Sequence, residues 1–400
     1  MEKEIESSIK DSIIKEAYKL LENYKTKGYS TKKRVADLVE WLKKDENVEK
    51  VSIYKDTDIT VEFKDKTIVG ILLNRDKFYG AIGELKRYFR IPFSKKFLKP
   101  CWLQGDIPNS KQAGVVDTLY DDGFPQSTPD DIRVLLTNVG YNEEFVSNDN
   151  ADLAFFSDLD QKNYGVLFLR SHGAILNVAG DQKLHIMARP FFTSFPPASG
   201  YDGVNVFTLG SNKFAYAFNN EFVIKYMKTN KFPDSIFHLL VCHGGDPLAE
   251  NDMIDTFLDR GVGCYTGWTD IASVTYGDPA AVLFFEILCD TTDTPDDIED
   301  AIDAVIAAGY SPDPSTGAEL RAYGKENMQF RRSICLELSL SEKGIQTLKK
   351  FADEVIEIRV ALPEKVVKFP GPDGRPDGGK ILPETKAGRR IFISNKILKY

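Results

Sequence analysis

One apolar run constrains this chain more than any other stretch: Phe237-His-Leu-Leu-Val-Cys-His-Gly-Gly245. It has the length of a strand and is too short for a helix, and a strand apolar on both sides belongs inside a parallel sheet. In an open α/β sheet, ligands collect outside the carboxyl ends of the strands, so Cys242 falls where chemistry is done. A second run, Tyr164-Gly-Val-Leu-Phe-Leu-Arg-Ser-His172-Gly173, ends in the same way. The two strand ends are expected to bring His172 and Cys242 together across the top of one sheet.

The segments around these runs alternate in period. Thr128-Pro-Asp-Asp131 supplies an N-cap, a proline for the first helical position and two acids, followed by Ile132, Leu135, Leu136 and Val139 on one face and Gly140 as the stop. Thr294-Pro-Asp-Asp297 repeats the pattern before Ile298, Ala301, Ile302, Val305 and Gly309. Strands are expected at about 112–120, 143–147, 164–171, 236–242 and 262–267. Strands alternating with helices imply an α/β fold with a mostly parallel sheet covered on both faces. After His172 a hairpin over 174–188 leads into an irregular, Pro- and Gly-rich loop at 190–203.

Residues 1–100 read as a small α+β module: two helices to about residue 45, the second capped at Ser30-Thr31, then strands near 51–54 and 59–69. With no histidine and scattered carboxylates, that module carries no chemistry of its own. Residues 101–330 form the main domain. Residues 331–400 add two strand-like runs, 355–362 and 390–394, around an exposed loop of turn formers at 369–380.

Charge divides the chain along the same lines, with balances of +6, −21 and +6 for the three segments against −9 overall. So acidic a centre excludes nucleic acid as a partner, since phosphate binding needs clustered Lys and Arg. It suits basic peptides, or docking against the basic flanks. The amino terminus lacks an apolar h-region and no segment nears the roughly 18 apolar residues of a membrane span. The expectation is a cytoplasmic protein. Five scattered cysteines (101, 242, 264, 289, 335) fit neither a disulfide framework nor a zinc ribbon.

All four histidines lie between residues 172 and 243. A cysteine nucleophile needs a base within hydrogen-bond reach, and backbone amides at Gly173 and around Cys242 could receive the oxyanion of an acyl-transfer intermediate. A free cysteine by itself is more often packing. The matching His172-Gly173 strand end is what favours chemistry here. His243 would point away from Cys242 if the pleat continues, as a wall residue. His185 and His238 sit inside apolar runs as core histidines, and Cys264, Cys289 and Cys335 read as packing. A zinc site drawn from the histidines with Cys242, which would make the protein a metal-dependent hydrolase, lacks the tight ligand spacing of such sites. The reading therefore assigns no metal and no cofactor.

An apolar strand ending in Ser-His-Gly, a later one ending in Cys-x-Gly, a helix closing on Asp259-Arg-Gly-Val-Gly and then Tyr265-Thr-Gly-Trp-Thr-Asp270 together resemble the caspase-like clan of cysteine peptidases, nearest its gingipain-like and CHAT-domain branches. The resemblance covers about residues 110–310. It implies a three-layer α/β/α sandwich and a dyad with His172 as base and Cys242 as nucleophile, Gly173 lending an amide to the oxyanion. It also implies Asp270, beside Trp268, as the substrate-binding residue that selects Arg or Lys at P1. The expected partner is a protein or peptide substrate, with self-cleavage near Arg375, Lys380 or Arg390. His243 departs from the pattern, and a non-catalytic scaffold with the same fold is the alternative.

Overall fold

The computed structural model describes residues 4–55, 57–73, 106–228, 231–290 and 296–330, and the backbone of three strands beyond them. The expected boundary at residue 100, the Thr294-Pro295 cap, and Arg375 and Lys380 lie outside the described residues. Two helices open the chain, α1 (Ser7–Thr26) and α2 (Thr31–Leu42), and the Ser30 hydroxyl accepts the Lys33 amide at 3.3 Å to cap the second. Their buried stripe, Ile13, Ile14, Ala17 and Leu21 with Val35, Leu38 and Leu42, packs with residues of β1 (Val48–Tyr54), β2 (Asp58–Phe63) and β3 (Ile68–Leu72).

Then follow β4 (Gln112–Asp117), α3 (Ser127–Asn138), β5 (Asn142–Ser147), α4 (Leu153–Ser157), β6 (Tyr164–Arg170), β7 (Gly173–Val178), β8 (Asp181–Phe192), β9 (Val204–Gly210), β10 (Lys213–Phe218), α5 (Asn220–Tyr226) and β11 (Ser235–Leu240). A short α6 (Pro247–Ala249) runs through a π turn, Glu250–Ile254, into α7 (Asp255–Asp259). The main domain closes with β12 (Val262–Trp268), α8 (Val274–Cys289), α9 (Ile298–Ala307) and β13 (Leu320–Gly324). Further on, β14 (Cys335–Ser339), β15 (Glu357–Leu362) and β16 (Arg389–Ser394) make a three-stranded sheet.

Among the described residues the central sheet has the order β5-β4-β6-β11-β12-β13, parallel throughout except for β13, which runs antiparallel to β12. Its residues alternate between two cores, as a pleat requires. Val166, Phe168, Ile236 and Leu240 pack with α3, α8 and α9, whereas Leu167, Leu169, Phe237, Leu239 and Val241 pack with α4, α5 and α7. The result is a mixed α/β sandwich of three layers. No helix among the described residues is long and apolar enough to cross a membrane.

The amino-terminal strands join a second sheet with later strands. Val69, Gly70 and Ile71 of β3 pair in parallel with Val206, Phe207 and Thr208 of β9, giving a seven-stranded sheet of order β1-β2-β3-β9-β10-β8-β7. The sheet curls until its far edge meets β2: the Ile175 amide donates to Asp58 at 3.3 Å and the Asn177 amide to the Thr60 hydroxyl at 3.0 Å. Side chains thus satisfy edge amides that would otherwise be open to pairing. The chain passes from one sheet to the other at Ser171 and His172, between β6 and β7.

Candidate active site

The β11–β6 ladder pairs Leu240 with Arg170, and one step later the Ser171 amide donates to the Leu240 carbonyl at 3.3 Å. His172 and Cys242 therefore each stand two residues beyond a paired position. Counted along the chain, both share the parity of residues 168, 170, 238 and 240, which face α8, although each lies beyond the end of its strand, Cys242 already in a turn. The Cys242 sulfur lies 4.0 Å from the Ala272 carbonyl at the entry to α8. His172 meets Phe124 edge-on, ring centroids 5.6 Å apart, and its carbonyl accepts the Met187 amide at 2.9 Å. The thiol residue is 8% exposed and the imidazole residue 7%, so little of either is open to solvent.

Gly173 is needed for this approach. A Cβ there would be driven into the Val241 side chain and the Cys242 carbonyl oxygen. Gly173→Ala is expected to force the 241–242 backbone away and to cost about 2 kcal/mol of stability, the scale of an overpacked core. Denaturant unfolding checks this; a midpoint within error of wild type would contradict it.

Beneath the pair lies a buried charge network. Arg170 donates to Asp117 at 3.2 Å, to the Pro125 carbonyl at 2.9 Å and to Asp278 of α8 at 2.7 Å, while the Phe124 ring faces its guanidinium at 5.2 Å. Burial pushes the Asp278 carboxyl up to about 6, against the pull of Arg170.

The turn after Cys242 is clamped from four sides. The His243 amide donates to the Asp270 carbonyl at 3.0 Å and the Gly245 amide to the Trp268 carbonyl at 2.8 Å. The Tyr265 and Tyr323 hydroxyls donate to the carbonyls of Gly244 and Gly245 at 2.9 and 2.7 Å. His243 takes a φ of 61°, a left-handed conformation that residues other than glycine adopt at a cost. Its ring is fully buried, with Nε2 3.4 Å from Asp58 and Nδ1 3.6 Å from Asp246 and 3.7 Å from Asp270.

The amino-terminal strands complete this cluster. Tyr54 donates to Asp246 at 2.7 Å and meets the His243 ring edge-on. Lys55 donates to Asp246 at 2.9 Å, to Asp270 at 3.1 Å and to the Thr269 carbonyl at 3.3 Å. Burial pushes the Asp246 carboxyl up, but His243, Lys55, the Leu248 amide and Tyr54 outweigh it and hold the group below the usual carboxylate range. Burial alone would lower Lys55; its two carboxylate partners raise it above the ordinary ammonium value. Of this cluster, His243 and Asp270 are singled out in the sequence; Tyr54, Lys55, Asp58 and Asp246 are not, and of those four only Asp246, three positions after His243, stands near the motif.

Trp268, expected at a substrate subsite, is wholly buried in the core beneath α8, and its indole nitrogen finds no hydrogen-bond partner. The reason is parity: position 268 falls on the helix-covered side of β12, with Cys264. His185 and His238 are core residues. His185 Nδ1 meets the Lys183 carbonyl at 3.0 Å and Nε2 the Asn205 amide at 2.8 Å, and burial depresses its pKa to about 4. His238 lies between Phe168 and Phe284, bonded to Thr266 at 2.9 Å, and burial takes it to about 3. The four histidines thus occupy four environments, and among the described residues no group of three or more His, Cys, Asp or Glu side chains converges to hold a metal ion. Cys264 and Cys289 are buried and free of disulfides.

No protein-family model matches the sequence, and no curated protein matches it. Several solved chains resemble the fold, two of them from structures of one proteinase. One is the Arg-specific cysteine proteinase gingipain R (RgpB), at 13% identity and a TM-score of 0.40 over 74% of this chain and 64% of that one. The other is the complex of the Porphyromonas gingivalis RgpB pro- and mature domains, at 14% identity and a TM-score of 0.40 over 74% and 66%. The chain spans just under two thirds of the length of each.

Proposed function

We propose that this protein is a cysteine endopeptidase that cleaves peptide bonds on the carboxyl side of a basic residue. The observation that carries the reading is that β6 and β11 are neighbouring parallel strands, Leu240 pairing with Arg170, so that Cys242 and His172 each follow two residues beyond the same rung of one ladder. In this mechanism the Cys242 thiol gives its proton to His172 and the sulfur attacks the substrate carbonyl. Amides at Gly173 and Cys242 receive the oxyanion, and the imidazolium returns its proton to the departing amine. Water, deprotonated by His172, then releases the acid from the thioester. Protein and peptide substrates with Arg or Lys at P1 follow from the Asp270 carboxylate. The burial of both reacting residues favours a second reading, a non-catalytic fold that serves as a scaffold.

The test is a peptidyl-arginine acyloxymethyl ketone, whose carboxylate leaving group a reactive thiolate displaces. One adduct is expected, mapped to Cys242, and hydrolysis of Arg- and Lys-terminated fluorogenic peptides should stop in proportion to labelling. Folded protein that takes no adduct, or hydrolysis that persists after full labelling, would sink the peptidase. Cleavage confined to an Asp-terminated peptide would keep the peptidase and remove the basic preference.

A further inference from the structure

We infer that Asp246, Asp270 and the Thr269 carbonyl form a subsite for a cationic side chain, and that Lys55 fills it from within the chain, so that a basic substrate residue enters by displacing Lys55. Three oxygens converge on the Lys55 ammonium, at 2.9, 3.1 and 3.3 Å. They are a buried carboxylate, a carboxylate open to solvent and a main-chain carbonyl, a set that suits an ammonium or a guanidinium. A second observation points into the same place. His243 is fully buried against these acids, yet neither ring nitrogen makes a hydrogen bond.

The subsite adjoins the reacting thiol. Asp270 accepts the His243 amide through its carbonyl, and two residues on, a span of at most about 7 Å, the Ala272 carbonyl stands 4.0 Å from the Cys242 sulfur. Lys55 is built to occupy the position and to leave it. It lies at the end of β1 with a φ of 46°, a left-handed conformation that side chains rarely adopt, and its ion pairs hold it there. The side chains of Lys55 and Asp270 are 39% and 30% exposed, so an incoming cation can reach the shared oxygens, whereas Asp246 at 3% stays behind as the fixed anion. Lys55 thereby sets selectivity: a neutral side chain cannot replace its charge, and a basic one can.

This inference builds on Cys242 and His172 as the reacting pair, and the test separates the two ideas. Agmatine, a guanidinium on a four-carbon arm, is titrated into the full chain as wild type, Lys55→Met, Lys55→Arg and Lys55→Met/Asp270→Asn, with melting temperature as the fold check. Lys55→Met should bind agmatine about tenfold or more tighter than wild type, as expected if Lys55 is seated nine-tenths of the time. Lys55→Arg should match wild type, and Asp270→Asn should cancel the gain. Equal affinity in wild type and Lys55→Met overturns the inference. If Lys55→Met does not fold, the Nζ resonance of Lys55 in wild type decides: saturating agmatine should shift it, and an unmoved signal counts against the subsite. In turnover, the kcat/KM ratio of Arg over Leu peptides should rise with agmatine affinity. A tighter agmatine site in a protein that hydrolyses nothing leaves the subsite standing and removes the peptidase. Cys242-dependent hydrolysis with neither ratio nor affinity changed by Lys55→Met does the reverse.

Discussion

Cys242→Ala should leave no peptide hydrolysis above background, and His172→Ala should lower kcat/KM by about 10³-fold, within the range a positioned general base contributes. The double variant should be no worse than Cys242→Ala, because groups that act as one unit are not additive. The expectation follows from register. Leu240 pairs with Arg170, the ladder extends one hydrogen bond further, and each of the two residues follows at the same step beyond it. Gly173 lets the two backbones touch, so the imidazole is carried by the strand next to the thiol's own. His172 is nearly buried against Phe124, so its removal also costs packing. The comparison is therefore made at temperatures where melting curves show each variant folded. Hydrolysis by His172→Ala within tenfold of wild type would rule it out as the base.

The strands that carry the pair were legible because their signal is local. β6 and β11 are unbroken apolar runs, and what a parallel strand presents at its carboxyl end is written in the next two residues. The helix starts were legible only in part. Thr128 lies inside the first turn of α3 rather than ahead of it, and α9 is capped by Asp297 in a capping box with Asp300. In both cases several cap-forming residues stand in a row, and tertiary packing selects among them. β9 and β10 were missed although they form a local hairpin, Gly210 pairing with Lys213 across Ser211 and Asn212; what no local signal carries is the parallel pairing of β9 with β3, some 135 residues earlier. Asp270 apart, the acid cluster at His243 was invisible for the same reason. Lys55 and Asp58 reach it only after that sheet has curled, and no spacing along the chain encodes the meeting of β2 with the turn after β11.

Arg170→Met is expected to cost about 3–5 kcal/mol of unfolding free energy, because it leaves buried carboxylates without their cation. Asp117 is fully buried and Asp278 nearly so, and each lies within 3.2 Å of the guanidinium. Water cannot take the place of Arg170 here without opening the floor under the candidate site. Two carboxylates sharing one guanidinium leave a negative excess, which agrees with burial pushing Asp278 up to about 6. A carboxyl raised in the folded state contributes stability that is fully present below its unfolded value near 3.8 and is lost as the pH rises through about 6. Between pH 4 and 7 the wild type should therefore lose on the order of 3 kcal/mol relative to Asp278→Asn, which has no proton to give up. Denaturant midpoints across that range measure the difference, and parallel curves would show that Arg170 already holds Asp278 ionised. Replacing all three residues with apolar side chains of similar volume should recover most of the Arg170→Met loss, since it is the unpaired charge that is costly. The same triple variant should still lose hydrolysis, because Phe124 would have no guanidinium to stack on while it packs against His172. Recovery of both stability and turnover would mean that the network supports the fold and leaves the imidazole to find its own place.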